Sequence, residues 1–222
     1  RRHLLTHSDT EILLNLFAEE LARPLSEAEK VGSDPNQELS FDSICRSVGK
    51  IFQRVNGSFS IVTLVAGHGL VAFRDPYGIR PLVWGKRSER RQAELGLSNT
   101  AGALESGEAH IFASESVVLS FLGYDVVRSV APGEVIFIDM QGKVHTRVLD
   151  TRPPRHCMFE WVYFASPESV IDGVPVYGAR IQLGKNLARL VKTQMTMRKL
   201  EADLIVPVPE TSRIAAIALA ED

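Results

Sequence analysis

The chain has 222 residues, with 25 Lys+Arg against 27 Asp+Glu and a formal net charge of −2. That balance excludes a polybasic nucleic-acid footprint, and 45% apolar with 23% charged residues excludes a disordered chain. No stretch approaches the roughly 18 apolar residues of a membrane span, so neither a membrane nor a nucleic-acid partner is expected. At about 150 residues per domain, the length suits one large domain or one and a half.

In chain order, Ser8-x-x-Glu11 has capping-box spacing ahead of an apolar face at Ile12, Leu13, Leu16, Phe17 and Leu21. This predicts a helix over 8–23, ended by Pro24. Residues 24–40 are polar and read as a loop. Ile44, Val48, Ile51, Phe52 and Val55 predict a second helix over 42–55, stopped by Asn56-Gly57. The period then changes. Strands are predicted at 59–66, 70–73 and 81–85, with turns at Gly67-His68-Gly69 and Asp75-Pro76-Tyr77-Gly78. Residues 87–109 read as a polar surface loop, 110–114 as a short strand, 115–124 as a helix, and 135–138 and 144–148 as two more strands. Asp150-Thr151-Arg152-Pro153-Pro154-Arg155 reads as a linker. Beyond it, 159–165 is an aromatic strand-like run, and 176–191 a helix with Ile181, Leu183, Leu187, Leu190 and Val191 as its apolar positions. Residues 204–209 read as a buried strand that delivers Glu210-Thr211-Ser212 to a helix start. The expectation is α+β with an antiparallel sheet for residues 1–150, and the beginning of a strand–helix–strand–helix unit with a parallel sheet for 151–222.

The residues that bear chemistry are few. Thr211 and Ser212 at a helix start suit an anion such as pyrophosphate, through backbone N–H groups and hydroxyls; an ordinary N-cap is the simpler use. Asp9 either stabilises the first turn of its helix or faces a cavity and holds an ammonium group. Arg74, Asp75 and Arg80 flank a turn between apolar strands, where Asp75 and Gly78 have turn chemistry and the arginines tie the turn to neighbouring loops; their use is read as structural. Cys157 beside His156 has the chemistry of a nucleophile or metal ligand, although a part-buried free thiol is simpler. The other cysteine, Cys45, is far away, so there is neither a disulfide framework nor a CxxC pair, and a reducing cytoplasmic setting is expected. His3 and His7 stand at i,i+4 without a third ligand and are not read as a metal site. No G-x-S-x-G elbow exists.

Six segments in collinear order carry a resemblance. They are Ser8-Asp9-Thr10-Glu11-Ile12-Leu13-Leu14-Asn15, Arg74-Asp75-Pro76-Tyr77-Gly78-Ile79-Arg80-Pro81-Leu82, Ala113-Ser114-Glu115-Ser116, Ala131-Pro132-Gly133-Glu134, Phe159-Glu160-Trp161-Val162-Tyr163-Phe164-Ala165, and Val206-Pro207-Val208-Pro209-Glu210-Thr211-Ser212. Together they resemble the amidophosphoribosyltransferase family, which joins a class II glutamine amidotransferase to a type I phosphoribosyltransferase. The second and fifth strings are the specific ones; the first is shared with other class II amidotransferases.

The resemblance implies part of an Ntn-hydrolase αββα sandwich over 1–150, followed by the start of an α/β phosphoribosyltransferase domain over 151–222. It implies release of ammonia from glutamine and displacement of pyrophosphate from phosphoribosyl pyrophosphate, giving phosphoribosylamine for purine synthesis. It places Asp9 on the glutamine α-amino group, Tyr163 on the ammonia path, and Thr211 with Ser212 at the edge of the pyrophosphate and Mg²⁺ site. It also implies a homo-oligomer with these two small molecules as substrates. Some members bind a 4Fe–4S cluster, and Cys157 falls at one ligand position; members without the cluster carry this cysteine too, so the residue leaves the cluster open.

The family's nucleophile is an N-terminal cysteine activated by its own α-amine. It and the glutamine-binding segments would precede Arg1, and the acidic ribose-phosphate strand would follow Asp222. The chain opens Arg1-Arg2-His3 without a Met and ends in an apolar periodic run. It is therefore expected to be an interior piece, inactive by itself, in which neither Arg1 nor Cys45 replaces the nucleophile. Two departures stand out: Ser166-Pro167-Glu168-Ser169 replaces Arg-Pro-Asp-Ser, which puts an interdomain ion pair in doubt, and 88–109 is longer than the usual connection. A related glucosamine-phosphate or asparagine synthase is disfavoured by the Val206–Ser212 junction. A non-catalytic module of the same fold is the remaining alternative.

Overall fold

A computed structural model describes residues 4–23, 39–88 and 108–222. The elements in order are α1 (Asp9–Leu21), α2 (Phe41–Arg54), β1 (Ser60–Val65), β2 (Gly69–Arg74), β3 (Val83–Ser88), β4 (Glu108–Ala113), α3 (Ser116–Phe121), β5 (Asp125–Ser129), β6 (Glu134–Asp139) and β7 (Val144–Val148). A π-helical turn (Glu160–Phe164), β8 (Val170–Ile171), β9 (Val174–Pro175), α4 (Val176–Arg198), a 3₁₀ turn (Glu210–Ser212) and α5 (Arg213–Glu221) follow.

Strand periodicity sets the layers. Side chains alternate across a sheet, so in β2 Val71 and Phe73 face one way while Leu70 and Ala72 face the other; in β6 Val135 and Phe137 oppose Ile136 and Ile138. Both sides are apolar, and both are covered. The antiparallel sheet β1-β2-β6-β7 packs one face against α1 and α2, around Phe17, Ile44, Val48, Ile51, Phe52 and Phe73. Its other face meets the antiparallel sheet β4-β3-β5 through Leu82, Trp84 and Phe112. On the far side of β3, Gly85 leaves room for Leu119 of α3, which is fully buried; a Cβ on Gly85 would lie 2.5 Å from its Cδ2. The order is helices, sheet, sheet, helix.

Local chemistry starts the helices. Ser8 caps α1 by accepting from Thr10 N at 3.3 Å, and Ser40 caps α2 by accepting from Ser43 N at 3.2 Å. The capping-box expectation is corrected at Glu11. Its carboxylate does not return to Ser8 but accepts from Leu5 N and Thr6 N, both at 2.7 Å, and from Thr6 Oγ1 at 2.6 Å. Ile12, expected inward, is 48% exposed, because the buried line of α1 runs through Phe17 and Glu20. Buried Glu20 is neutralised by Arg23 at 3.3 Å and Arg54 at 3.5 Å.

The second half departs further from expectation. The run 159–165 is no strand: Ala165 N donates to Glu160 O at 2.9 Å, the i→i+5 bond of a π-helical turn. Residues 204–209 are neither paired nor buried, with Leu204 78% and Val208 80% exposed. Pro207 and Pro209 remove two ladder donors there, and among the described residues no adjacent strand supplies partners. The only ladder after residue 150 among the described residues is antiparallel, β8 with β9, so a parallel sheet is not present in them. Leu187 and Leu190 of α4, expected inward, are exposed; Val176, Arg180, Gly184 and Ala188 form the buried line instead. Strand β5 was not foreseen from the pattern of the sequence. Pro24, most of 24–40 and most of 87–109 lie outside the described residues, as do Arg1 and His3.

Candidate functional site

Two cavities bear on the site, and a polar seam runs near them. The first, about 680 Å³, lies between the start of α1, the 55–61 segment and the turn after β2; Asp9, Arg80 and Ser114 are among its lining residues. Asp9 sits in the exposed first turn of α1, so its carboxylate both complements the helix N-terminus and borders this cleft. The second cavity, about 480 Å³, is bordered by the π-helical turn, α4 and the start of α5. It brings Tyr163, Thr211 and Ser212 together, with the buried Arg180 beside them. Arg180 Nε donates to Trp161 O and its Nη2 to Ala165 O, both at 2.8 Å, which staples the turn to α4. Ser212 Oγ donates to Pro209 O at 2.6 Å, so its hydroxyl serves the local turn rather than capping α5.

The seam is built on Arg74, a fully buried arginine whose five N–H donors are all used. Nε donates to Arg80 O at 2.6 Å, Nη1 to Val130 O at 2.9 Å, and Nη2 to Gly78 O at 2.8 Å. The remaining two reach Asp172 Oδ1 and Oδ2, each at 2.8 Å, a bidentate pair across 98 residues of sequence. Asp75, also fully buried, accepts from Tyr77 N, Ile79 N and Arg80 N and so rigidifies the same turn. Gly78 has φ +61, and a Cβ there would stand 2.7 Å from Pro132 Cγ. Thus the turn after β2 meets the Ala131-Pro132-Gly133-Glu134 loop, where Gly133 N donates to Asp75 O at 3.1 Å.

Other groups complete the seam. Arg80 Nη1 stands 2.6 Å from Glu160 Oε1. Glu115 Oε2 accepts from Ser166 N at 2.7 Å and from Ser169 Oγ at 2.9 Å, and Ser116 Oγ accepts from Val170 N at 2.8 Å. Ser166 thus contributes its backbone N–H, and its hydroxyl binds Glu168. Burial pushes the Glu160 carboxyl up, Arg80 and Arg74 pull it back, and Glu115 adds to the rise; the net direction is upward. Asp172 goes the other way: burial resists its ionisation, but the hydrogen bonds and charge of Arg74, with His156 adding, hold it below the usual carboxylate range.

Asp172, Glu160 and Glu115 were missed from the sequence. Asp172 had a signal: Asp172-Gly173 between apolar pairs is a hairpin turn with positive φ at both residues, +48 and +81. Glu160 had none, because its role depends on Arg80, 80 positions away.

The residues present do not by themselves fit the expected metal groups. Among the described residues no three His, Cys, Asp or Glu side chains gather as ligands. Thr211 offers one neutral hydroxyl and Glu210 is held by Arg213 at 2.7 Å, short of the six oxygens Mg²⁺ takes. Cys157 is a lone, part-exposed thiol and Cys45 lies in the helical core, far from the four thiolates of a 4Fe–4S cluster. No helix among the described residues is long and apolar enough to cross a membrane.

The fold is α/β with open, antiparallel sheets, and the two cavities described border a junction of charged side chains. No family model matches the chain. It is similar to the amidophosphoribosyltransferase of Escherichia coli K12, 39% identical over 221 residues, covering 99% of this chain and 39% of that protein. The same enzyme of Pasteurella multocida is 38% identical over 221 residues, with the same coverage. The structure of the glutamine phosphoribosylpyrophosphate amidotransferase from B. subtilis, complexed with ADP and GMP, superposes with a TM-score of 0.67 at 26% identity, covering 99% of this chain and 38% of that one. The chain therefore spans about two fifths of the length of the curated relatives it matches, and its resemblance to amidophosphoribosyltransferases extends over nearly every residue.

Proposed function

We propose that this chain is part of an enzyme that makes phosphoribosylamine from phosphoribosyl pyrophosphate, glutamine and water, the first committed step of purine synthesis. The observation that carries the reading is collinear similarity to enzymes of that name over 99% of the chain. The two separate cavities, one bordered by Asp9 and one by Tyr163, Thr211 and Ser212, support it.

In this reading residues 1–150 are the back of a glutaminase domain with Ntn αββα layers, and the helix–sheet–sheet–helix order supports that. Residues 151–222 begin the transferase domain. Asp9 holds the α-ammonium of glutamine by charge. A nucleophile supplied from outside these residues opens the amide: the C–N bond breaks, ammonia leaves, and water completes glutamate. Ammonia passes Tyr163 to the second cavity. Its nitrogen lone pair attacks the anomeric carbon as the C–O bond to pyrophosphate breaks; the leaving oxygen keeps that electron pair and the nitrogen sheds a proton. The exposed start of α5, with the Thr211 hydroxyl, borders the departing anion. No step here is routed through Mg²⁺ or an iron–sulfur cluster, for which the described residues offer no complete ligand set.

The test is Asp9→Ala in the complete protein. Losing one partner of an ammonium–carboxylate contact in a shielded site costs about 2–5 kcal/mol; Asp9 is exposed here, so a rise of about tenfold in KM for glutamine is expected, with ammonia-driven synthesis intact. Equal loss of both activities refutes the assignment.

A further inference from the structure

One edge of the second sheet has no ladder partner among the described residues. In the order β4-β3-β5 the strand β5 stands at the end, and its Val126 and Val127 are exposed. Natural edges are blunted by Lys or Pro, or by a bulge. The strand Asp125-Val126-Val127-Arg128-Ser129 has neither residue, but it has a bulge. Gly85 pairs with Val126 and Trp84 with Arg128, so Val127 is the extra residue.

That bulge sets the chemistry of the edge. In a regular strand, residues three apart face opposite sides. Here Asp125 and Arg128 pair with Lys86 and Trp84, which are two apart on β3, and so they share one face. The Arg128 guanidinium carbon lies 5.6 Å from the centre of the Trp84 ring on that face. Asp125 is exposed. Arg128 is partly exposed, and Glu134 with the Ser129 carbonyl takes three of its five N–H donors. An antiparallel copy of the strand, related by a two-fold axis between Val126 and Val127, sets each Asp125 opposite the Arg128 of the other copy.

Shape repeats the match. Helix α3 turns back into β5 through Tyr124, whose N–H donates to Leu119 O at 2.8 Å. Phe121, 88% exposed, therefore stands near the Asp125 end of the strand. Toward the Ser129 end a cavity of about 610 Å³ opens among α3, β5 and the β8–β9 hairpin, bordered by Ser116, Val117, Val126, Ser129, Val170 and Gly173. The two-fold axis exchanges the ends, so the Phe121 ring of each copy meets the cavity of the other. An aromatic side chain seated in a pocket is the usual anchor of an interface.

We propose that this edge docks a second copy of the chain, β5 against β5, with Phe121 of each copy in the cavity of the other. The inference goes beyond the reaction assigned above and does not depend on it.

The experiment uses the complete protein and two surface variants, Asp125→Lys and Phe121→Ser. Sedimentation velocity over a concentration series gives the mass. Amide hydrogen exchange is followed in β5, with β3 as internal reference. Asp125→Lys turns two cross-strand attractions into repulsions, so association at this contact should weaken about tenfold or more. The mass should halve at concentrations where the parent stays associated, and Phe121→Ser should act in the same direction. In both variants the β5 amides should exchange faster than in the parent, while those of β3 keep their rates. Both side chains are exposed, and either variant carries the test if the other does not fold. A parent that is a single copy at every concentration overturns the proposal, as does a folded variant with parental mass and parental β5 exchange. So does β5 protection that persists in a variant of halved mass, since another part of the protein would then cover the edge.

Discussion

Replacing Arg74 tests how the two halves are held together. Its five N–H groups serve the carbonyls of Gly78, Arg80 and Val130 and both oxygens of Asp172. Arg74→Met keeps much of the volume but leaves three buried carbonyls and one carboxylate without their donor. Breaking a buried charge pair in this way costs about 3–5 kcal/mol. At about 2–4 °C per kcal/mol for a domain of this size, the melting midpoint should fall by about 6–20 °C. Asp172→Asn is the milder probe. Asparagine tolerates the left-handed backbone at φ +48 and keeps the shape, so the loss is that of charge-assisted bonding, about 1.5–3 kcal/mol. The two changes touch one interaction, so the double variant should cost at least about 1 kcal/mol less than the sum of the singles. Urea titration of the four proteins, followed by intrinsic fluorescence, measures all three quantities. Additive losses, or an Asp172→Asn protein within about 0.5 kcal/mol of the parent, would show that this pair does not hold the seam.

Acid should loosen the fold through Asp139 and Asp172. At Asp139 burial opposes ionisation, but the hydrogen bond of His145 and the backbone N–H groups of Lys143 and Gln141 outweigh it, so its carboxyl lies below the usual value, as does that of Asp172. A depressed folded-state value means that the stabilisation is complete above the ordinary carboxylate pKa of about 4 and is lost as pH falls through the lower folded values. Melting midpoints measured between pH 6 and 3 should fall, and Asp139→Asn should flatten that decline. Gly184→Leu should detach α5, because even a Cβ at this position runs into the Ala215 carbonyl and stands 2.8 Å from Ala218 Cβ; hydrogen exchange across Arg213–Glu221 should accelerate at least tenfold. Thiol titration should find one fast group, the part-exposed Cys157, while buried Cys45, its thiol pushed up to about 11 by burial, reacts only in denaturant.

Much of the first half was legible because period and burial agree there. The second helix could be drawn from Ile44, Val48, Ile51 and Phe52, all of which are buried. The β1–β2 hairpin could be drawn from β-rich runs around Gly67-His68-Gly69, with Val65 paired to Gly69. The second half misled where hydrophobicity was taken for burial. Leu204 to Val208 has the composition of an inner strand, yet a strand needs neighbours, and among the described residues that segment has none. Leu187 and Leu190 misled likewise: α4 meets α5 at Gly184, whose lack of a side chain permits close approach to Ala215 and Ala218. The cavities were legible in part. Asp9, Tyr163, Thr211 and Ser212 were each chosen by motif, but that three of them border one space is a tertiary fact. Nothing local marks Glu160 as the partner of Arg80.

Why the string Arg74-Asp75-Pro76-Tyr77-Gly78-Ile79-Arg80 resembles a family so specifically has a physical answer in the seam. The apolar cluster beyond residue 150 near the junction is small, Ala165, Ile171 and Val176 with Trp161 against it. The bonds of the seam are directional, and most demand a particular residue. Asp75 must accept three backbone N–H groups to shape the turn, and Gly78 must take a positive φ under Pro132. Tyr77 sets its ring 4.8 Å from the guanidinium of Arg155 and accepts from Arg152 Nη1 at its hydroxyl, at 3.2 Å. Arg74 must fill five acceptors at once, which lysine, with three donors and no planar fork, cannot do. A leucine in a core can be exchanged for methionine at modest cost; none of these four has such a substitute.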